Sequence, residues 1–190
     1  MNGQLDPSDY TGMSFWIISA AMVAATFFFW VERDRAVGKW KTSLTVAAMV
    51  TGIAAIHYFY MRGVWASTGE SPLVFRYVDW LLTVPLQIVE FYLILAAIAV
   101  VKSSLFWRLL IASVIMLVAG YLGEVGSVNV WAGFVVGMLG WLYIIYEVFA
   151  GEASQINASK GTAASQRAFN ALRLIAVSYT HLRAHETTLD

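Results

Sequence analysis

Five runs of apolar residues alternate with short polar connections, and each run is about as long as a helix that crosses a bilayer. The first extends from Met13 to about Val31 and stops at Glu32-Arg33-Asp34-Arg35. The second covers about Thr42 to Met61, and the third about Leu73 to Val101. The fourth covers about Ser104 to Leu122 and the fifth about Val128 to Phe149. A polar, small-residue linker, Gly151 to Ala164, precedes a sixth apolar pattern that begins at Ser165. Pro85, near the middle of the long third run, predicts a kink that frees a carbonyl inside the bundle. Gly133-x-x-x-Gly137, with Gly120, Gly123 and Gly126, predicts close approach of helices.

The pattern breaks after Val177. Ser178-Tyr-Thr-His-Leu-Arg-Ala-His-Glu-Thr-Thr-Leu-Asp190 is polar where a span should continue. It leaves a sixth helix of about 14 residues, too short to cross unaided. The expected organisation is therefore a polar N-terminal tail (1–12), an incomplete transmembrane domain (13–177) and a tail foreign to the fold (178–190). His181 and His185 have the i, i+4 spacing of metal ligands, but they fall in that tail, and no metal site is expected.

Composition agrees with a membrane protein. The chain is 59% hydrophobic and only 13% charged, far from the balance of a soluble domain. It has no cysteine, which excludes disulfides and thiolate chemistry, and no basic block that would suggest nucleic acid. Nothing resembles a signal peptide: no basic segment precedes the first apolar run. Basic residues gather in alternate connections: Arg33, Arg35, Lys39 and Lys41, then Lys102 and Arg108, then Lys160 and Arg167. Asp6, Asp9, Glu70 and Glu124 occupy the other side with Arg62, so the positive-inside rule puts the N-terminus outside.

The third run carries the chemistry. Asp79 and Glu90 lie inside it, and an ionisable side chain at bilayer depth marks function by default because of its cost. At about 100° and 1.5 Å per residue, they fall within roughly 20° of each other and about 16 Å apart along the axis. Thr83 shares this stripe and Arg76 lies one turn before Asp79, which makes a polar file suited to an ion or proton path. The plainer readings are an Asp79–Arg76 structural pair and a Glu90 that snorkels to the cytoplasmic end. Three polar residues on one stripe argue against the first, and about ten apolar residues after Glu90 argue against the second.

Arg76-Tyr-Val-Asp-Trp-Leu-Leu-Thr-Val-Pro85, continued by Gln87 to Tyr92, resembles the microbial (type 1) rhodopsins, and the proteorhodopsin group in particular. Val31 to Arg35, His57 to Trp65 and Gly120 to Glu124 extend the resemblance across roughly residues 10–177. It implies an all-α integral membrane fold, a seven-transmembrane-helix rhodopsin bundle of which this chain holds five helices and the start of a sixth. It further implies retinal, bound as a Schiff base to a seventh-helix lysine, and light-driven outward proton pumping in a bacterial inner membrane. The resemblance makes Asp79 the Schiff-base counterion and proton acceptor, Glu90 the cytoplasmic donor and Thr83 the middle member of the motif. His57 would hydrogen-bond Asp79, and Arg76 would tune the exit side. Trp80, Met116 and Trp141 would line retinal, although helix packing is the ordinary use of such residues. Gln87 matches the colour-setting position, where glutamine accompanies blue absorption. Five- or six-fold rings are the associated homo-oligomers, and the other expected partners are the lipid bilayer, retinal and protons. A photosensor on the same fold, or a fragment without function, remains the alternative. The lysines, Lys39, Lys41, Lys102 and Lys160, all lie in connections or at span ends, so the attachment lysine is expected on a seventh helix that this chain does not contain.

Overall fold

The computed structural model describes residues 8–184, with side chains through Ser178. The described residues are helical almost throughout. The elements are α1 (Tyr10–Glu32), a 3-10 turn (Arg33–Arg35), α2 (Gly38–Thr68), α3 (Leu73–Ile98), α4 (Ser103–Glu124), α5 (Val130–Phe149), α6 (Glu152–Lys160) and α7 (Ala163–Ala184). Five helices are long and apolar enough to cross a membrane, and they coincide with the five runs read from the sequence. The chain divides into two compact units, Met1–Gln87 and Ile88–Asp190.

In the first unit α1 packs along α2. Asp9 caps α1: its Oδ1 accepts from the Gly12 N–H at 3.0 Å, satisfying one of the donors a helix start leaves open. Its other oxygen accepts from the Trp65 indole N–H at 2.7 Å, tying the start of α1 to the end of α2. Deeper in, the Thr26 hydroxyl lies 2.9 Å from that of Thr51, and each also bonds a carbonyl of its own helix. Arg33 donates through Nε to Thr45 Oγ1 at 3.0 Å and stacks on Trp30, fixing the turn into α2.

In the second unit α4 and α5 meet along a glycine seam. A Cβ on Gly133 would lie 2.7 Å from the Ala119 carbonyl oxygen, and one on Gly140 would lie 2.9 Å from that of Ala112. The close approach expected at Gly133, Gly137, Gly120 and Gly123 is present, and Gly140 extends it. Gly126 belongs to another category. Its φ of +72° and open surroundings make it a turn residue after α4, not a packing one.

The segment read as a polar linker holds α6. It is polar on nearly every side, a composition that needs partners to stay helical. Arg108 of α4 pairs with Glu152 and also lies 3.6 Å from Glu147. Arg173 of α7 donates to the Val148 carbonyl at 2.6 Å, to Ser154 Oγ at 2.8 Å and to Asn170 Oδ1 at 2.9 Å, with its plane against Phe149 and Phe169. These contacts hold the α5–α6 turn from both sides.

Several boundaries differ from expectation, and α2 runs from Gly38 to Thr68 where about Thr42 to Met61 is expected. Helix α1 begins at Tyr10, so its first turn falls within the expected tail 1–12, whose residues 1–7 lie outside the described ones. The α3 assignment runs through Pro85 from Leu73 to Ile98. The backbone of α7 continues past Val177 to Ala184, a 22-residue helix rather than about 14, while residues 185–190, with His185, lie outside the described residues. Arg167, Asn170 and Arg173 keep α7 off the set of apolar spans.

Candidate functional site

The carboxyl group of Asp79 is the centre of the candidate site. Asp79 and Thr83, one turn apart on α3, are each 4% exposed. The Thr83 hydroxyl donates to the Asp79 backbone carbonyl at 2.9 Å, one turn back. Thr83 therefore bonds the main chain of Asp79 and leaves the carboxylate to other partners.

His57 of α2 brings its Nδ1 to 3.3 Å from Asp79 Oδ1. The same nitrogen lies 3.0 Å from the Ile53 carbonyl oxygen, so one N–H faces two acceptors. Asp79 Oδ1 has no hydrogen-bond partner of good geometry although it is wholly buried. A buried carboxylate oxygen in that condition costs free energy unless a cation or donor meets it. Tyr58, the next residue on α2, is within electrostatic reach of both Asp79 and Arg76. Sequence reasoning quoted Tyr58 within a motif but gave it no role. Its adjacency to His57, which the resemblance sets against Asp79, is the available signal.

The other expected residues are placed as follows. Trp80 is half-buried, and its neighbour Tyr77 meets it edge-on with ring centroids 5.2 Å apart. Gln87 and Arg76 are half-buried on α3. In the second unit, Glu90 is half-buried on the later part of α3, followed by Phe91, which packs edge-on against Phe169. Met116 lies on α4 at the glycine seam, where its carbonyl would sit 3.2 Å from a Cβ on Gly137. The Trp141 indole donates to the Ala176 carbonyl at 3.2 Å, linking α5 to α7.

Helical spans with a buried, incompletely satisfied acid on the third of them define a membrane protein with an ionisable group at bilayer depth. The chain belongs to the bacteriorhodopsin-like protein family, whose pattern matches residues 9–180. It is 57% identical over 92% of its length to the green-light absorbing proteorhodopsin of Gamma-proteobacterium EBAC31A08, covering 70% of that protein. Among solved structures it superimposes on the blue light-absorbing proteorhodopsin from Med12 with a TM-score of 0.72 and 55% identity. That match covers 88% of this chain and 74% of the other. It also superimposes on xanthorhodopsin, a light-driven ion pump with dual chromophore, with a TM-score of 0.78 and 28% identity, covering 93% of this chain and 78% of that one. The fold is that of the seven-helix microbial rhodopsins. Retinal is the cofactor of this family, and its proteorhodopsins are light-driven transporters rather than enzymes.

The residues present fit such a cofactor in one respect, the orphaned Asp79 oxygen, which calls for a buried cation. The lysines do not supply it: Lys39 and Lys41 are in the first turn of α2, Lys102 precedes α4 and Lys160 ends α6.

Proposed function

We propose that these residues form the proton-accepting part of a light-driven outward proton pump. The observation that carries the reading is the buried Asp79 carboxyl, one oxygen unpartnered, with His57 at its side. In this reading retinal, attached to a lysine on a part of the gene product outside residues 1–190, supplies a buried cation whose acidity changes with light.

The chain's own residues divide the work. Asp79 takes up a proton at its carboxylate, and His57 Nδ1 orients that group. Thr83, by bonding the Asp79 main chain, fixes the turn of α3 from which the carboxyl projects. Arg76, one turn nearer the chain's external side, favours departure of the proton in that direction. Glu90 holds a proton on the cytoplasmic half and returns it, so that net movement is outward. Trp80, Met116 and Trp141 bound the chromophore and exclude water. Gln87 places an amide dipole near the polyene, and on that basis the pigment is assigned to the blue-absorbing type. The acid–threonine–acid set at 79, 83 and 90 supports protons as cargo. Identity of 57% to a proteorhodopsin, against 32% to a sensory rhodopsin, supports transport in preference to sensing.

The same reading puts the protein in a bacterial inner membrane with the N-terminus outside, supported by basic residues clustered in alternate connections. It also includes assembly into five- or six-membered rings. The tail 178–190 is read as foreign to the rhodopsin domain on composition.

The test is Asp79→Asn in a protein that joins residues 1–177 to the lysine-bearing remainder of a proteorhodopsin. Light-driven acidification should disappear and absorption should move to longer wavelength, while Asp34→Asn, at the exposed Arg33–Asp34–Lys41 cluster, leaves both unchanged. Undiminished transport in Asp79→Asn refutes the acceptor role.

A further inference from the structure

Four side chains run from the start of α1 to the Asp79 site, all within the first unit. Asp9 accepts from the Trp65 indole at 2.7 Å while it caps α1. Trp65 and Tyr58 are seven residues apart, two turns, and so lie on one face of α2. Phe15 of α1, 5% exposed, fills the space between them: its ring centroid is 6.5 Å from that of Trp65 and 6.1 Å from that of Tyr58. Tyr58 directly follows His57, whose Nδ1 lies 3.3 Å from Asp79 Oδ1, and it is within electrostatic reach of Asp79 and Arg76.

We infer that Asp9 is a positioning residue for the Asp79 site, acting through Trp65 and Phe15 to fix the ring of Tyr58 beside Asp79 and Arg76. The physical argument rests on what Asp9 alone can do. Its two oxygens serve two donors on different helices at once, the Gly12 amide and the Trp65 indole. An asparagine keeps the cap, since it is an equally good residue there, but offers one acceptor where two are used. Without the second bond, the end of α2 and the start of α1 are no longer locked in register. Phe15, whose tilted ring contacts with Trp65 and Tyr58 depend on that register, then ceases to confine Tyr58. The functional meaning rests on Asp79 being the proton acceptor. The coupling itself does not.

The test uses the 190-residue chain in lipid nanodiscs, labelled with 13C at tyrosine Cζ and aspartate Cγ. Tyr58→Phe and Asp79→Asn assign the two signals. Asp9→Asn and Trp65→Phe should each move both the Tyr58 and Asp79 resonances. Trp65→Phe keeps a ring against Phe15, so a shift there isolates the loss of the indole donor. Ser14→Ala, an exposed hydroxyl on the same turn of α1 that bonds only the Thr11 carbonyl, should move neither. Resonances that stay in place in both variants, even with faster amide exchange at the start of α1, would overturn the inference and leave Asp9 as a helix cap. Because the readout needs neither retinal nor transport, failure of the pump reading would leave a different signature: coupled resonances in a protein that moves no protons.

Discussion

His57 Nδ1 stands 3.3 Å from Asp79 Oδ1 and 3.0 Å from the Ile53 carbonyl, so a single ring nitrogen is shared between the helix it belongs to and the acid on its neighbour. If Nδ1 carries the proton, it can donate fully to only one of them, and the shorter distance favours Ile53. Asp79 is thereby held without being satisfied. His57→Phe keeps the ring and removes both contacts. The carboxyl stretching band of Asp79, identified by its loss in Asp79→Asn, should shift in the infrared spectrum of that variant. Stability should fall by about 1 kcal/mol, the ordinary value of one hydrogen bond. An unmoved band means that His57 does not act on Asp79.

Glu90 is assigned the return of the proton. In the completed, retinal-bearing protein Glu90→Gln should leave the first proton transfer intact and slow recovery of the resting pigment after a flash. Added azide, a small diffusible acid, should restore much of the rate. A photocycle of unaltered length removes Glu90 from the relay.

Gln87 is assigned to colour. Gln87→Leu replaces an amide dipole by an alkyl chain of similar size and should move the absorption maximum to longer wavelength with transport retained. The absorption spectrum decides it, and an unshifted maximum means that residue 87 does not face the chromophore. The overall similarity does not separate the colour types, since the chain is 57% identical to a green-absorbing relative and 55% identical to a blue-absorbing one.

The glycine seam predicts a contrast in stability. A methyl group at Gly133 would meet backbone atoms, the Ala119 carbonyl oxygen at 2.7 Å and Gly123 Cα at 2.9 Å, which cannot move aside as a side chain can. Gly133→Ala should cost about 1–3 kcal/mol, the usual penalty of overpacking. At Gly63, inside α2, a Cβ meets nothing within 4 Å, so Gly63→Ala should stabilise by up to about 1 kcal/mol through helix propensity. Thermal unfolding followed by circular dichroism in one detergent would show the midpoints moving in opposite directions.

The spans were legible because hydropathy and length alone dictate them: Leu73 opens α3 in both readings, and Phe149 closes α5. Close helix approach was legible from Gly133 and Gly137, since small residues at that spacing serve close packing, but the pairing of α4 with α5 was not. Gly126 was misread with them, because composition does not distinguish a glycine used for its missing Cβ from one used for positive φ. Helix α6 was missed for a related reason. Its stability comes from Arg108 and Arg173 on other helices, which a local reading of polar residues cannot see. Its ends did carry a signal, with Glu152 in the first turn, Lys160 in the last and Gly161 just beyond. At the site, α3 periodicity placed Asp79 and Thr83 on one buried face. The hydroxyl's choice of the Asp79 carbonyl, and the approach of Tyr58, depend on side-chain directions that periodicity does not contain.

The most direct test of the central claim is external pH under illumination. Cells expressing residues 1–177 joined to the lysine-bearing remainder of a proteorhodopsin, supplied with retinal, would be illuminated in unbuffered medium. The account predicts prompt acidification that a protonophore abolishes and that Asp79→Asn lacks. A coloured protein that bleaches and recovers slowly, with no change in external pH, would contradict it and identify a light sensor instead.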